Sequence, residues 1–196
     1  MYIVLEGIDG SGKSTQSELL GNYLLKNGFK VKTIREPTNN KIGKLIREIL
    51  TQKDSTTPMM QKTLGLLFAA DRMHLSQEIE KLEKEDTIII SDRSFYSSLV
   101  YQEPENWIKE LNKFVKIPDM VLLLDIDVEK SVTRTEGIDE FENIEFLTEV
   151  RKKYLKLAEN NNNFKIIDAN KGINLISKDI QKEIAPLLGI CRSGIF

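Results

Sequence analysis

Apolar residues along the chain follow two patterns: short continuous runs, and longer stretches in which they recur at helical spacing. The continuous runs at residues 2–5, 87–91 and 120–124 are typical of strands that are buried on both faces of a parallel sheet. Short β-leaning segments at residues 31–34 and 164–168 indicate two further strands. The pattern therefore predicts five strands distributed along the chain.

Helical spacing of apolar residues predicts at least one helix after each of these strands. The longest pattern begins at Pro58 and ends at about Lys84, and its apolar stripe is interrupted by Asp71 and Arg72. Charged residues in such a row are either buried and paired or face a cavity. A short acidic break at residues 136–140 is expected to separate two later helices. Helices are predicted at residues 14–27, 42–50, 58–84, from 95 onward, 127–135, 145–159 and 173–187.

The order of strands and helices indicates an α/β fold, in which a doubly wound five-stranded parallel sheet is flanked by helices. The chain has 196 residues and shows no linker, internal repeat or low-complexity segment, so we expect one domain over residues 1–196. The end of the chain, about residues 189–196, is expected to form a tail, because its residues follow no recognisable pattern.

Charge and composition restrict the partners that the chain could bind. Its net charge of −2 gives no basic bias, so we expect neither long nucleic acid nor an anionic membrane as a partner. The single cysteine, Cys191, excludes a disulfide within the chain and fits a reducing cytoplasm. Because the first residues lead directly into a predicted strand, we also expect no signal peptide and no membrane span.

A glycine-rich segment connects the first predicted strand to the first predicted helix. It fits the pattern G-x-x-x-x-G-K-[ST] of the phosphate-binding P-loop in the strand–loop–helix context that this motif requires. Glycines let the backbone curl until its N–H groups point at an anion, whereas the alternative is a glycine-rich turn without a ligand. Lys13 is expected to reach the β- and γ-phosphates, and the Ser14 hydroxyl to hold Mg²⁺. The residues expected to bind the phosphate chain are Gly7, Ile8, Asp9, Gly10, Ser11, Gly12, Lys13, Ser14 and Thr15.

Charged residues follow three other predicted strands directly, at Arg35-Glu36, Asp92-Arg93 and Asp125. The carboxyl ends of parallel strands meet at one edge of the sheet, where open α/β proteins bind their ligands. Additional arginines at that edge indicate a second anion beside the first, because two polyphosphates repel each other unless cations lie between them. The pattern therefore favours phosphate transfer between two nucleotides.

A series of different short motifs follows one another along the chain, at residues 5–15, 35–37, 66–72, 92–93, 97–102, 118–119 and 122–125. Together they resemble the thymidylate kinase family of nucleoside-monophosphate kinases, and the resemblance extends from residue 1 to about residue 184. It implies an enzyme of dTTP synthesis that transfers phosphate from ATP, with Mg²⁺, to dTMP and gives ADP and dTDP. It also implies a homodimer whose other partners are these small-molecule nucleotides.

The resemblance implies roles for the residues that match the family's motifs. Phe68 is expected to stack on the thymine ring, and Arg72, one turn later on the same helix face, to hydrogen-bond a thymine carbonyl. Arg93 is expected to clamp the dTMP phosphate. Asp92 is expected to act near the transferred phosphoryl group and, with Ser14, to hold the metal. The remaining expected contacts of dTMP are Asp9, Arg35, Glu36, Arg47, Ser98, Tyr101 and Gln102.

Most of these roles have a structural alternative. Phe68 is also consistent with a core residue, and Arg72 with a surface ion pair to Asp71. Asp92 and Arg93 are also consistent with a structural ion pair. Further alternatives are turn formation for Asp9, packing for Tyr101 and solvated surface charge for Arg35 and Glu36.

One departure from the family pattern concerns the arginine that neutralises the transferred phosphoryl group. The variable P-loop positions, residues 8–11, contain no basic residue, and neither does the lid that the resemblance implies at about residues 135–142. Arg134, at the edge of this lid, is therefore the candidate catalytic arginine, with a helix-end charge as its alternative. Loss of such an arginine costs on the order of a thousandfold in rate.

Two other functions remain open on these residues. One is a kinase for another pyrimidine (deoxy)nucleotide or for a deoxynucleoside, because a methyl group contributes only about 1–3 kcal/mol to discrimination. The other is a nucleotide-binding module with little turnover, which fits the sparse cations near the P-loop. Turnover of a panel of acceptors with MgATP distinguishes these functions.

Overall fold

A computed structural model describes residues 1–134 and 140–190, with only the backbone described for residues 140–143. Within these residues the strands form one five-stranded sheet in the order β2-β3-β1-β4-β5, and every neighbouring pair is parallel. The prediction of a doubly wound parallel sheet is therefore confirmed. The strands are β1 (Tyr2–Glu6), β2 (Lys30–Arg35), β3 (Thr87–Asp92), β4 (Met120–Asp125) and β5 (Phe164–Asp168).

Helices follow the strands in the predicted order. They are α1 (Lys13–Lys26), α2 (Lys41–Leu50), α3 (Pro58–Lys84), α4 (Phe95–Tyr101), α5 (Glu105–Leu111), α6 (Val128–Val132), α7 (Glu140–Asn160) and α8 (Ile173–Ile184), and a 3₁₀ helix, Ala185–Leu188, follows α8. The α7 helix begins at Glu140, five residues before the predicted position. Acidic residues suit the first turn of a helix because they complement its dipole, and the prediction had relied on the apolar stripe alone.

The core lies on both faces of the central strands. Alternate residues of β1 point to opposite faces, so Ile3 and Leu5 pack with one cluster while Tyr2 and Val4 pack with another. The first cluster includes residues of α1, α4 and α8, and the second is closed by the α3 helix. Helices on both faces leave the carboxyl ends of the strands as the open edge of the sheet.

Strand register aligns the charged strand ends at this edge. Leu5 pairs with Asp92 of β3, and Arg35 of the edge strand β2 is also in register with Asp92. On the other side of the sheet, Asp125 of β4 is in register with Asp168 of β5. The P-loop follows β1 at the centre of this row, so the register brings Arg35 and Asp92 beside it.

Some expectations fall on residues outside the described part of the chain. The lid expected at about residues 135–142 lies mostly there, as do Cys191 and most of the tail at residues 189–196. In the described part, no helix has both the length and the apolar character needed to cross a membrane.

Candidate active site

Close backbone packing requires glycine at two positions of the P-loop. Gly7 has φ 145° and Gly10 has φ 76°, both in the region that disfavours side chains. A Cβ at Gly7 would lie 2.6 Å from the Leu124 carbonyl oxygen, and one at Gly10 would lie even closer to the Ser131 carbonyl oxygen. The loop is therefore curled tightly between the end of β4 and the α6 helix.

Lys13 is folded back onto the P-loop. Its Nζ donates to the carbonyl oxygens of Gly7 at 3.0 Å and Ile8 at 2.8 Å. Burial and, to a smaller extent, the nearby Arg93 guanidinium together lower the pKa of Lys13 to about 8. These two carbonyl oxygens accept the hydrogen bonds that the ammonium group would otherwise donate to phosphate oxygens.

A cavity of about 490 Å³ opens over the P-loop. Besides loop residues, basic side chains from distant parts of the chain contribute to its wall. Arg134 is exposed there, and its Nη1 donates to the Gly10 carbonyl oxygen at 3.3 Å, which connects the end of α6 to the loop. The lining residues are Asp9, Gly10, Ser11, Gly12, Lys13, Ser14, Thr15, Gln16, Arg35, Asp92, Arg93, Arg134, Lys171, Gly172, Ile173 and Ile176.

The two predicted metal ligands lie in direct contact at the floor of this cavity. Ser14 Oγ donates to Asp92 Oδ2 at 2.5 Å, and Asp92 Oδ1 is buried without a hydrogen-bond partner among the described residues. Mg²⁺ uses few protein ligands and completes its shell with water and phosphate oxygens, so one hydroxyl and one carboxylate fit it. No group of three or more metal-ligating side chains occurs within the described ranges.

A second and larger cavity, of about 1090 Å³, adjoins the first. Every residue that was predicted to contact dTMP lines it. Three of them, Asp9, Arg35 and Arg93, also line the P-loop cavity, so the two cavities share one wall. The predicted residues in its lining are Asp9, Arg35, Glu36, Arg47, Phe68, Arg72, Arg93, Ser98, Tyr101 and Gln102.

Arg72 lies in the wall of this larger cavity, almost completely buried. Its Nε is 2.5 Å from Glu36 Oε2, and its Nη1 donates to Ser98 Oγ at 2.9 Å and to Asn112 Oδ1 at 3.2 Å. The alternative in which Arg72 forms a surface ion pair with Asp71 is wrong. Asp71 instead accepts hydrogen bonds from the backbone N–H and hydroxyl of Thr38.

Burial and the Arg72 guanidinium act in opposite directions on Glu36. The effect of burial outweighs the lowering by the ion pair with Arg72, so the pKa of Glu36 is raised to about 7. Glu36 is therefore no solvated surface charge. Arg35, in contrast, is largely exposed, and its Nε lies 3.7 Å from Asp92 Oδ2.

Phe68 lies beside Arg72 on the same face of α3. Its ring centre is 5.3 Å from the guanidinium carbon of Arg72. The ring is half-buried against the small cluster that α2 and α3 form, and its remaining surface faces the larger cavity. An aromatic face and a guanidinium group are thus presented together to the cavity.

Arg93 occupies the shared wall of the two cavities. It pairs with Asp9 of the P-loop rather than with Asp92, and its Nη1 donates to Ser97 Oγ at 3.0 Å. Its guanidinium carbon lies 5.4 Å from the centre of the Tyr101 ring. The backbone of Arg93 is left-handed, with φ 78°. The alternative in which Arg93 forms a structural pair with Asp92 is therefore wrong.

Two further residues that were predicted to contact dTMP differ in whether their side chains already have hydrogen-bond partners within the protein. Gln102 is buried, and its Oε1 has no hydrogen-bond partner in the described part of the chain. Buried polar atoms rarely lack a partner in native proteins, so this amide is available to a ligand. Arg47, on the far side of the cavity, already donates to the carbonyl oxygens of Pro37 and Thr38 and braces that loop.

Sequence patterns did not identify several buried or half-buried polar residues that hold the site. Thr38 and Asn112 anchor Asp71 and Arg72, and Glu6, Ser97 and Tyr154 form a hydrogen-bonded group beneath Arg93. One signal was present for Glu6, because a carboxylate that ends an otherwise apolar strand must be buried with partners. The others are joined only by the tertiary fold.

A parallel sheet whose first strand leads into a curled P-loop, with a second cavity beside it, defines a P-loop nucleotide-binding protein of the nucleoside-monophosphate kinase type. The family model for thymidylate kinase matches residues 5–180. The chain belongs to the thymidylate kinase family.

Archaeal relatives match the chain over most or all of its length. A protein of Methanobrevibacter smithii named probable thymidylate kinase is 57% identical over 195 residues, which is 100% of both chains. Its namesake in Methanothermobacter thermautotrophicus is 50% identical over 195 residues, again 100% of both chains. A third, from Methanocaldococcus jannaschii, is 46% identical over 176 residues, or 87% of this chain and 88% of the relative.

Proposed function

We propose that this protein transfers the γ-phosphoryl group of ATP to dTMP and releases ADP and dTDP. One observation carries the proposal: a cavity on the P-loop and a cavity beside Phe68 and Arg72 share a wall that contains Arg93 and Asp9. The donor and acceptor phosphates thereby meet at a cation that both cavities present. Membership of the thymidylate kinase family supports the proposed transfer of phosphate from ATP to dTMP.

The donor, ATP, lies along the P-loop cavity. Curled backbone N–H groups and the start of α1 surround its phosphates, and Lys13 exchanges its carbonyl partners for phosphate oxygens. Ser14 and Asp92 would hold Mg²⁺, whose charge neutralises the donor phosphates. Arg134 is a further cation at this cavity, and it is already in contact with the loop backbone.

The acceptor, dTMP, occupies the larger cavity. Its base stacks on Phe68, and the one remaining N–H of Arg72 and the amide of Gln102 bind the polar edge of the base. Ser98 holds Arg72, and Tyr101 packs on the sugar while it contacts Arg93. The acceptor phosphate then lies at the shared wall, where Arg93 binds it through a guanidinium fork.

Transfer requires positioning rather than covalent catalysis by the protein. An acceptor phosphate oxygen attacks the γ-phosphorus, and the bond from that phosphorus to the bridging oxygen of ADP breaks. Arg93 and Lys13 face the phosphates from the two cavities and oppose the repulsion between donor and acceptor. No side chain is needed as a nucleophile.

Assembly of the protein into a homodimer is part of the proposal. Exposed apolar side chains form a stripe on one side of α3, at Met59, Leu66 and Met73. Such a stripe is suited to an interface between two copies. Sedimentation of the wild type and of Leu66→Glu tests this, because a dimer that becomes a monomer in the variant supports the interface and a monomeric wild type contradicts it.

Domain organisation and location complete the proposal. The chain acts as one domain over residues 1–196, with a lid at about residues 135–142 next to Arg134 and a tail at about residues 189–196. A chain with a single cysteine suits a reducing cytoplasm.

A panel of acceptors tests the function. ADP release is measured with MgATP and dTMP, dUMP, UMP, dCMP or thymidine, each over a range of concentrations. We expect the highest kcat/KM for dTMP, with dUMP lower by about five- to 150-fold because it lacks one methyl group. A higher kcat/KM for another pyrimidine would show that this compound, and not dTMP, is the substrate. Binding of both nucleotides without ADP release would show that the protein is a nucleotide-binding module and not a kinase.

A further inference from the structure

Glu6 is a buried carboxylate at the boundary between β1 and the P-loop. It is 0% exposed, and Gly7 follows it directly. Oε1 accepts hydrogen bonds from the backbone N–H of Ser94 at 2.8 Å and from its hydroxyl at 2.7 Å. Oε2 accepts hydrogen bonds from the hydroxyls of Ser97 at 2.7 Å and Tyr154 at 2.8 Å. Both oxygens are therefore fully occupied by the protein.

A carboxylate in this position is expensive to bury, since its water shell must be replaced by donors of the protein. Three hydroxyls and one backbone N–H replace that shell here. Burial raises the pKa of Tyr154 well above its usual value, so this phenol keeps its proton and remains a donor. With no oxygen left for a ligand, Glu6 acts on the site through other residues.

The hydrogen bonds of Glu6 lead to Arg93 by two routes. Ser97 Oγ donates to Glu6 and accepts from Arg93 Nη1 at 3.0 Å, which connects the carboxylate to the guanidinium group. Ser94, whose N–H and hydroxyl both bind Glu6, follows Arg93 in the chain and fixes its backbone. One carboxylate thus holds both the side chain and the main chain of the same arginine.

The backbone of Arg93 needs such support. Its φ of 78° lies in the left-handed region, which a non-glycine residue adopts only when its surroundings hold it there. Its N–H donates to the Leu5 carbonyl oxygen at 3.0 Å, and its own carbonyl oxygen accepts from Ser91 Oγ at 2.6 Å. Together with Ser94, these bonds turn the Arg93 side chain toward the shared wall of the cavities.

We infer that Glu6 is a positioning residue for Arg93 and that it serves the binding of the acceptor's phosphate rather than of its base. The inference rests on the proposed function, in which Arg93 binds the phosphate of dTMP. A Glu6 that merely stabilised the fold would affect the base and the phosphate alike. Thymidine and dTMP differ only in the phosphate, so the ratio of their dissociation constants isolates the contact.

The variant Glu6→Gln tests the inference because it keeps the side-chain volume. Its new NH₂ group must donate to Ser97 or Tyr154, and it then competes with Arg93 for Ser97 Oγ. Calorimetric titration with dTMP and with thymidine gives both dissociation constants. We expect the preference for dTMP over thymidine to fall on the order of tenfold, since a charge-assisted hydrogen bond is misplaced, with little change for thymidine.

A second variant and a matched control complete the experiment. Ser97→Ala removes the side-chain route from Glu6 to Arg93 without burying a new polar group and leaves the route through Ser94 intact. It tests the side-chain route alone if Glu6→Gln does not fold. Asp119→Asn makes the same carboxylate-to-amide change at the opposite end of β1, where Asp119 accepts from the Tyr2 N–H at 2.7 Å. It should leave the ratio of dissociation constants unchanged.

Two results would overturn the inference. An unchanged ratio in the folded variants, or an equal loss of dTMP and thymidine binding, would leave Glu6 a purely structural residue. A wild-type protein that binds dTMP no better than thymidine would instead contradict the proposed function, and this inference with it.

Discussion

Asp92 and Ser14 are joined by a 2.5 Å hydrogen bond that connects the end of β3 to the first turn of α1. The second oxygen of Asp92 is buried and has no partner in the described part of the chain. Strand register produces this contact, because Asp92 is paired with Leu5, two residues before the P-loop begins. A carboxylate and a hydroxyl are therefore fixed together on the side of the loop that faces the donor cavity.

Asp92→Asn should raise the Mg²⁺ concentration that gives half-maximal turnover. The amide keeps the contact with Ser14 but removes the negative charge that attracts the ion, and a shift of about ten- to hundredfold is expected. Activity measured across a Mg²⁺ titration at saturating nucleotides checks it. Asp125→Asn is the control, since Asp125 also ends a strand but pairs with Arg151 outside both cavities. An unaltered Mg²⁺ requirement in Asp92→Asn would remove this residue from the metal site.

Phe68→Ala should raise the KM for dTMP and leave the KM for ATP unchanged. Stacking of a base on an aromatic ring contributes about 1–3 kcal/mol, so an increase of roughly five- to 150-fold is expected. Steady-state kinetics with each nucleotide varied in turn measures the effect. Phe114→Ala provides a control, because Phe114 is exposed and lines neither cavity. If the KM for ATP rose instead, the assignment of the two cavities would be reversed.

Lys13 makes donor binding dependent on pH. Burial lowers its pKa to about 8, so the side chain is mostly charged at pH 7 and mostly neutral at pH 9. Bound phosphates favour the charged form, and ATP binding at pH 9 must therefore take up a proton. The affinity for MgATP should fall about tenfold between pH 7 and pH 9, since about a tenth of the free protein is then competent.

Calorimetry in buffers of different ionisation enthalpy measures both the affinity and the proton uptake. Lys13→Arg should bind MgATP with no such decline, because guanidinium keeps its charge over this range. A wild-type affinity that stays flat up to pH 9 would show that Lys13 is charged throughout.

Arg134→Ala should lower kcat on the order of a thousandfold with a smaller effect on either KM, as expected for a cation that acts mainly in the transition state. Its exposed guanidinium already contacts the P-loop backbone through Gly10 and lines the donor cavity. Lys130→Ala is the matched control on α6, where Lys130 is exposed and pairs with Asp127. Equal kcat values in the two variants would mean that Arg134 is only a helix-end charge.

Buried strands made most of the fold predictable. The apolar runs of β1, β3 and β4 have no alternation because both faces of these strands are covered. Such a run can be recognised in the sequence without knowing which elements pack against it. The short α5 helix was not predicted separately, and α7 was predicted too short. The α5 helix spans only seven residues, too few for a repeating apolar pattern to be recognised, and hydrophobic periodicity does not fix the first turn of α7.

Site residues could be predicted where they belong to a local sequence motif. Their hydrogen-bond and ion-pair partners could not be predicted. Spacing placed Phe68 and Arg72 on one face of α3, but it suggested Asp71 as the ion-pair partner instead of Glu36. The contact between Glu6 and Tyr154 joins residues 148 positions apart, and no local pattern contains it. The left-handed backbone of Arg93 likewise depends on a bond to Leu5 of another strand, in addition to the local bond from Ser91.

Transfer of label from γ-labelled MgATP is the most direct test of a donor and an acceptor that meet at Arg93. The protein is incubated with the labelled donor and dTMP, and the products are separated. We predict that the label appears in dTDP, in step with ADP, and that Lys13→Ala abolishes its appearance. Label that is released as inorganic phosphate while dTMP remains unchanged would contradict the account.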